Sequence, residues 1–279
     1  MLGSRSTLNP FQSNKQTNKF DREFDKYIHH LSNERYADSD SLGEDQEYEL
    51  EYMGSHRDRF RYIFDMMPDK ESNLKILDIG TTPFTILIKN IYDKCDIYTI
   101  DYSNLFKDRC EENDINFNNH DLSNGSIPFQ QNEFDIVIFT EVLEHILISP
   151  IVLFKELYRV MGIGGQLIFG TPNFARLKNR MKLARGVSPL GQFHSDSIHG
   201  HGHVREYTMN ECLSIMNDVG FNISKREFIN GKSSQHFIKR KGDVFDLPVY
   251  LSTVLITIYY ALTMTIPSFR HFIYIEAHK

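Results

Sequence analysis

Three cysteines, Cys95, Cys110 and Cys212, are all the thiol chemistry that these 279 residues hold. An odd number at wide spacing provides neither a disulfide framework nor a zinc knuckle, so the expectation is reduced, buried thiols in a cytosolic protein. An excess of positive charge is missing as well, the formal net charge being −6. That argues against nucleic acid as the main partner, because neutralising phosphates takes a concentrated basic surface. Behind the basic residue of MLGSRSTLNPFQSNK no apolar run of the kind a secretion signal needs is found, which points to a protein that stays in the cytoplasm. Length sets a further bound: the chain can bury one full core and carry an appendage, but hardly two large domains.

What is present reads in order along the chain. Residues 1–47 are polar and rich in Asn, Ser and Asp, with a short amphipathic stretch at Phe20–Leu31, and read as a tail or lid. Tyr52, Phe60, Ile63, Phe64 and Met67 then recur at roughly helical spacing until Pro68-Asp69 stops the helix. From Leu74 strand and helix patterns alternate: LKILDIG, a helix from Pro83, DIYTID, a helix from about Ser103, INFNNHD and FDIVIFTEV. The helical run SPIVLFKELYRVM follows, with Ile151, Phe154, Leu157, Tyr158 and Met161 on one face, and then GGQLIFGTP. Short apolar strands between amphipathic helices specify an α/β fold: a doubly wound, mainly parallel sheet with helices on both faces. After Pro172 comes a long segment with basic residues and clustered histidines, a natural place for an acceptor site. The alternation resumes with a helix at about Thr208–Val219, capped by Gly220, and the strand FNISKREFI.

The stretch KILDIGTTPFTIL, Lys75 to Leu87, begins as a nucleotide-binding turn should. The second and third glycines of a G-x-G-x-x-G fingerprint are absent, however. A dinucleotide needs them because its pyrophosphate must approach the backbone. Here Thr82 and Pro83 read instead as an N-cap and first helical residue. Asp101 ends the next strand, near the spacing at which an acidic residue accepts hydrogen bonds from ribose hydroxyls.

The succession LDIG, TID, NNHD, FDIVIFTEVLEH and GGQLIFGTPN resembles the class I S-adenosylmethionine-dependent methyltransferases, especially the small-molecule subgroup with EVLEH after the fourth strand. The resemblance implies a Rossmann-like, seven-stranded sheet whose last strand, in HFIYIEAHK, is antiparallel. The resemblance covers roughly residues 74–230 and the last strand, and the methyltransferase domain is expected over residues 48–243 and 268–279. It also implies that Asp78 and Gly80 line the methionine end of S-adenosyl-L-methionine, with Thr82 in the same loop. Asp101 would hold the ribose, Tyr102 would flank the adenine, Asp121 with Leu122 would meet its edge, and Thr140 with Glu141 would close the pocket. Each has a plainer alternative: Asp78 and Asp101 as helix caps, Tyr102 and Asp121 as ordinary turn residues, Glu141 as a solvated strand end.

Methyl transfer to a hydroxyl needs help with a proton, and histidine suits that task near neutral pH. His145, His194, His199, His201 and His203 are the candidates, with His145 and His203 preferred as catalytic residues. Glu141, Glu144 and His145 form an E-x-x-E-H group that His203 could complete as an oxygen/nitrogen site for Mg2+ or Mn2+. In HGHVREYT the alternatives are a solvated loop with an Arg205-Glu206 pair, or His203 and Arg205 placed over the acceptor.

One long run lacks charge altogether: Pro248 to Pro267, inside an apolar insertion at 244–267. Because the final strand must return to the sheet, a helix or hairpin in the membrane interface fits better than a span. Lys239-Arg240-Lys241 and Arg270 would flank it, and a buried helix or dimer interface is the alternative. The expected function is O-methylation of a small molecule, sugar or lipid-linked glycan at the inner face of a membrane. The rivals are a metal-assisted RNA 2′-O-methyltransferase and a non-catalytic, membrane-tethered binding module.

Overall fold

The computed structural model describes residues 10–34, 43–69, 73–190, 202–230 and 249–279. His194, His199, His201, Lys239-Arg240-Lys241 and residues 244–248 of the insertion lie outside the described residues. Two compact units divide the chain: residues 1–73 with 82–95, and residues 74–81 with 96–279.

In the first unit, α1 (Pro10–Glu34), α2 (Gly43–Met66) and α3 (Pro83–Ile91) pack together. Both long helices exceed the stretches expected from apolar spacing alone. After Pro10 the α1 sequence contains no glycine or proline, so nothing in it stops a helix that the apolar stripe has nucleated. That stripe is Phe20, Phe24, Tyr27 and Leu31, all buried. Phe20 meets Phe64 of α2 at 5.5 Å between ring centroids, and Phe60 stacks on Phe84 of α3 at 4.5 Å. Each such side chain contributes about 1.5–3 kcal/mol on burial. Thr82 caps α3 with its hydroxyl, accepting from the Phe84 N–H at 3.2 Å, and Pro83 stands at the first helical position.

The second unit is built on β1 (Lys75–Ile79), β2 (Asp96–Asp101), β3 (Asn116–Asn119), β4 (Phe134–Thr140), β5 (Met161–Pro172), β6 (Asn222–Ile229) and β7 (Phe272–His278). The strands form one seven-stranded sheet in the order β3-β2-β1-β4-β5-β7-β6, with β7 antiparallel to both neighbours. This is the doubly wound, Rossmann-like class expected from the sequence. The inner strands are buried Ile, Leu, Val and Phe runs, as strands covered on both faces require. Chain order reverses between β1 and β4, so the crevice beyond their carboxyl ends is the ligand position of an open sheet.

Helices α4 (Lys107–Glu112), α5 (Pro150–Val160), α6 (Leu177–Ala184), α7 (Met209–Val219) and α8 (Val249–Thr265) complete this unit. The buried stripe of α5 is Leu153, Phe154, Leu157 and Val160; Ile151, in its first turn, is exposed, and Met161, one residue beyond the helix, already belongs to β5. Thr208 and Glu211 form a capping box at the start of α7, and Gly220 ends it in the left-handed region at φ 105°. Among the described residues no helix is long and apolar enough to cross a membrane.

Candidate active site

The turn after β1 is made by backbone geometry. Gly80 has φ 88°, and a Cβ there would lie 2.6 Å from Cγ2 of Val142, so this position requires glycine. Its N–H donates to Ile100 O at 3.0 Å, tying the turn to β2. Asp101, at the end of β2, accepts from the Thr81 N–H at 2.9 Å through one carboxylate oxygen and from the Ser103 N–H at 2.8 Å through the other. Burial pushes the Asp101 carboxyl up, against the lowering effect of the Ser103, Thr81 and Tyr102 amides. Thr81, buried and hydrogen-bonded to the Thr99 hydroxyl at 2.7 Å, was not singled out by the motif. Its signal was present only as a residue beside Gly80, and no spacing rule marks it.

The other residues assigned to the cofactor fall at the carboxyl ends of the same strands. Asp78 is buried within β1, and Tyr102 is exposed. Asp121 accepts from the Ser123 N–H at 2.9 Å and opens the short turn in which Leu122 packs into the core. Thr140 ends β4. Glu141 follows it at φ 57°, a left-handed conformation that a non-glycine residue adopts only under local constraint. Its N–H donates to Gly170 O at 2.9 Å. Thr82 belongs to the first unit, where its hydroxyl is engaged in capping α3.

A second cluster lies after β4. Glu144, in the short turn Leu143–His145, is buried, and its Oε2 accepts from the Thr171 hydroxyl at 3.2 Å. The Glu144 carbonyl accepts from the N–H groups of Val204 and Arg205 at 2.8 and 3.3 Å, which fastens the HVREY segment beside it. The rings of His145 and His203 meet edge to face at 5.0 Å. Glu144, His145 and His203 each place a ligand atom within 4.8 Å of the others, a group that could hold a metal ion. Glu141, the fourth residue of the expected ligand set, is not part of that group among the described residues.

Glu206 organises this cluster, and the sequence did not reveal it. His203 Nδ1 lies 2.7 Å from Glu206 Oε1; Arg176 grips the same carboxylate with two bonds of 2.6 and 2.8 Å, and Asn179 adds a third of 2.9 Å. Burial alone would raise the Glu206 carboxyl, but these donors and the Arg176 charge outweigh it and bring it down to about 2. The Arg205-Glu206 pair of the solvated-loop alternative does not form. Arg205 instead donates to Glu211 at 2.9 Å and lies over the Tyr207 ring. Arg176 and Asn179 sit 30 and 27 residues from Glu206 in sequence, beyond any local pattern.

The turn fits the cofactor that the motifs imply. Glycine leaves the space that a Cβ would fill, and the Asp101 carboxylate is held in place by two amides, each oxygen keeping acceptor capacity for a ribose hydroxyl.

Comparison with known proteins agrees. A model described as a methyltransferase domain matches residues 47–225. Among curated proteins no match is found. A S-adenosylmethionine-dependent methyltransferase from Archaeoglobus fulgidus is similar at 17% identity and TM-score 0.55, over 83% of this chain and 98% of that one. Phosphoethanolamine N-methyltransferase 2 of Haemonchus contortus, in complex with S-adenosyl-L-methionine, is similar at 14% identity and TM-score 0.53, over 80% of this chain and 52% of its own. The [4+2]-cyclase SpnF is similar at 14% identity and TM-score 0.51, over 80% of each chain. At such identities the likeness is one of fold, and the cyclase shows that this fold also carries other chemistry. The family match spans more than half of the chain and covers the turn at Gly80, Asp101 and the EVLEH cluster. The chain belongs to the methyltransferase domain family, and it is a transferase whose methyl donor is S-adenosylmethionine.

Proposed function

We propose that the enzyme methylates a hydroxyl oxygen on a small molecule, sugar or lipid-linked glycan, with His203 as general base. The observation that carries this reading is the 2.7 Å contact between His203 Nδ1 and Glu206 Oε1. An ionised carboxylate only accepts, so Nδ1 carries the hydrogen and Nε2 keeps the lone pair that takes the acceptor's proton. S-adenosylmethionine, when bound, supplies a methyl group already activated on its sulfonium. Asp78, Gly80 and Asp101 would hold it, and Tyr102 with the Asp121-Leu122 turn would meet its adenine. Arg176 and Asn179 keep Glu206 ionised and in place, and His145 packs edge to face against the base. Exposed Leu255, Ile258 and Met264 on α8 support work at a membrane surface, on the cytoplasmic side, where lipid-linked acceptors of polysaccharide synthesis reside. A labelled-methyl transfer screen over glycan, lipid and RNA pools tests the reading: label in an O-methyl sugar or lipid supports it, and label confined to nitrogen or RNA overturns it.

A divalent cation held by Glu144, His145 and His203 is the second reading, favoured by the convergence of their ligand atoms. Glu206 would then orient His203 as a metal ligand, as carboxylates do for such histidines. Loss of transfer in chelator, restored by Mg2+ or Mn2+, would replace the general-base reading with this one, and RNA labelling under those conditions would make the acceptor an RNA 2′-hydroxyl.

A further inference from the structure

Between Glu156 and Asp196 the sequence has no acidic residue, in a chain whose net charge is −6. Within that stretch lies α6, in RLKNRMKLARGV, with the cations Arg176, Lys178, Arg180, Lys182 and Arg185. Arg176 is committed to Glu206. Of the others, Arg180 donates to Ala175 O at 2.6 Å and Lys182 to Pro189 O at 3.3 Å, and the four lie beside side chains that a solvated helix has no reason to display: Met181, Leu183 and Val187 are 40%, 51% and 48% exposed. Arg180 lies over the ring of Phe269 at 5.3 Å, in the turn Pro267–Phe269 that joins α8 to β7, and α6 packs against that turn. The basic, apolar surface of α6 is therefore next to the end of α8, which exposes Leu255, Ile258 and Met264. Arg270, expected to face lipid, is occupied elsewhere: its guanidinium donates to the carbonyls of Phe228, Thr263 and Met264.

We propose that α6 is the cationic half of a membrane-docking surface, binding the anionic headgroups of a lipid bilayer while Met181, Leu183 and Val187, with the exposed residues of α8, enter the interface. The inference rests on the reading that the enzyme works at a membrane, and names the side chains and lipid charge involved. Cations interspersed with aliphatic side chains fit a lipid interface, whereas a single-stranded nucleic acid site would interleave them with aromatic rings for stacking.

The test is sedimentation of the full chain with vesicles of phosphatidylcholine alone, and of phosphatidylcholine mixed with phosphatidylglycerol. Wild type is expected to bind the anionic vesicles at least about a hundredfold more tightly than the neutral ones. Lys178→Gln/Arg180→Gln/Lys182→Gln/Arg185→Gln should lose that preference, by about a hundredfold or more at about fivefold per cation. The single change Leu183→Ser, at an exposed position, should weaken binding to both vesicles while leaving S-adenosylhomocysteine binding unchanged. Equal binding of wild type and the fourfold variant to both vesicles would overturn the role of α6 and leave the membrane reading standing. Binding to neither vesicle would overturn both, and retention of RNA in place of vesicles would assign α6 to a nucleic acid.

Discussion

The two ends of the proposed active site, a cofactor end at Gly80 and Asp101 and an acceptor end at His203, are constructed by different means. At the cofactor end the work is done by backbone: a glycine at φ 88°, a carboxylate held by two amide N–H groups, and a switch point given by strand order. At the acceptor end it is done by side chains from three segments, 144–145, 176–179 and 203–206, which converge on Glu206 and Glu144. Backbone recognition is local and leaves a short motif. Side-chain recognition is assembled by the fold and leaves almost none.

That contrast makes substitutions at the two ends separable. The largest effect is expected from His203→Ala, which should lower methyl transfer about 10²–10⁴-fold, the span of general-base catalysis, with unchanged affinity for S-adenosylhomocysteine. Comparable losses of affinity would mean that the two ends are not independent. Next is Gly80→Ala, which places a Cβ against Val142 in a backbone region disfavoured for alanine. Calorimetry should show S-adenosylhomocysteine bound about thirtyfold more weakly, or about 2 kcal/mol. Gly80→Ala/Val142→Ala should recover part of that loss, whereas full loss in the double variant would assign the effect to φ alone. The smallest effect is one of stability. The Glu206 carboxyl is depressed in the folded state to about 2 from an ordinary 4.5, so the unfolded chain binds more protons between those values. Its contribution is therefore present above about pH 4.5 and is lost as pH falls toward 2. Glu206→Gln should show a flatter decline of Tm on acidification than wild type, and parallel declines would remove Glu206 from the account.

Much of the fold could be read before the structure, and the reasons are physical. Alternating apolar strands and amphipathic helices carry their periods in sequence, and Thr82-Pro83 and Thr208 with Gly220 mark a cap and a bounded helix, whereas the antiparallel setting of FIYIEAH follows only from the family resemblance. The full length of helix α1 is hidden in the sequence because its outer residues are polar, and polarity does not distinguish a solvated helix face from a tail. Asp101 and Gly80 could be named because a strand end and a turn are local. Glu206 could not, since a glutamate beside an arginine reads as a surface pair until Arg176 and Asn179 are brought to it. The partners of Arg270 are hidden for a related reason: they are backbone carbonyls, which no side-chain pattern marks.

The central claim is that S-adenosylmethionine occupies the turn between Gly80 and Asp101. Titration calorimetry of S-adenosylhomocysteine into wild type, His203→Ala and Asp101→Ala tests it most directly. The account predicts saturable binding to wild type, the same affinity for His203→Ala, and a loss of about 1.5–3 kcal/mol, roughly tenfold or more, for Asp101→Ala, as charge-assisted hydrogen bonds to the ribose disappear. No heat with wild type, or an unchanged affinity in Asp101→Ala, would contradict it.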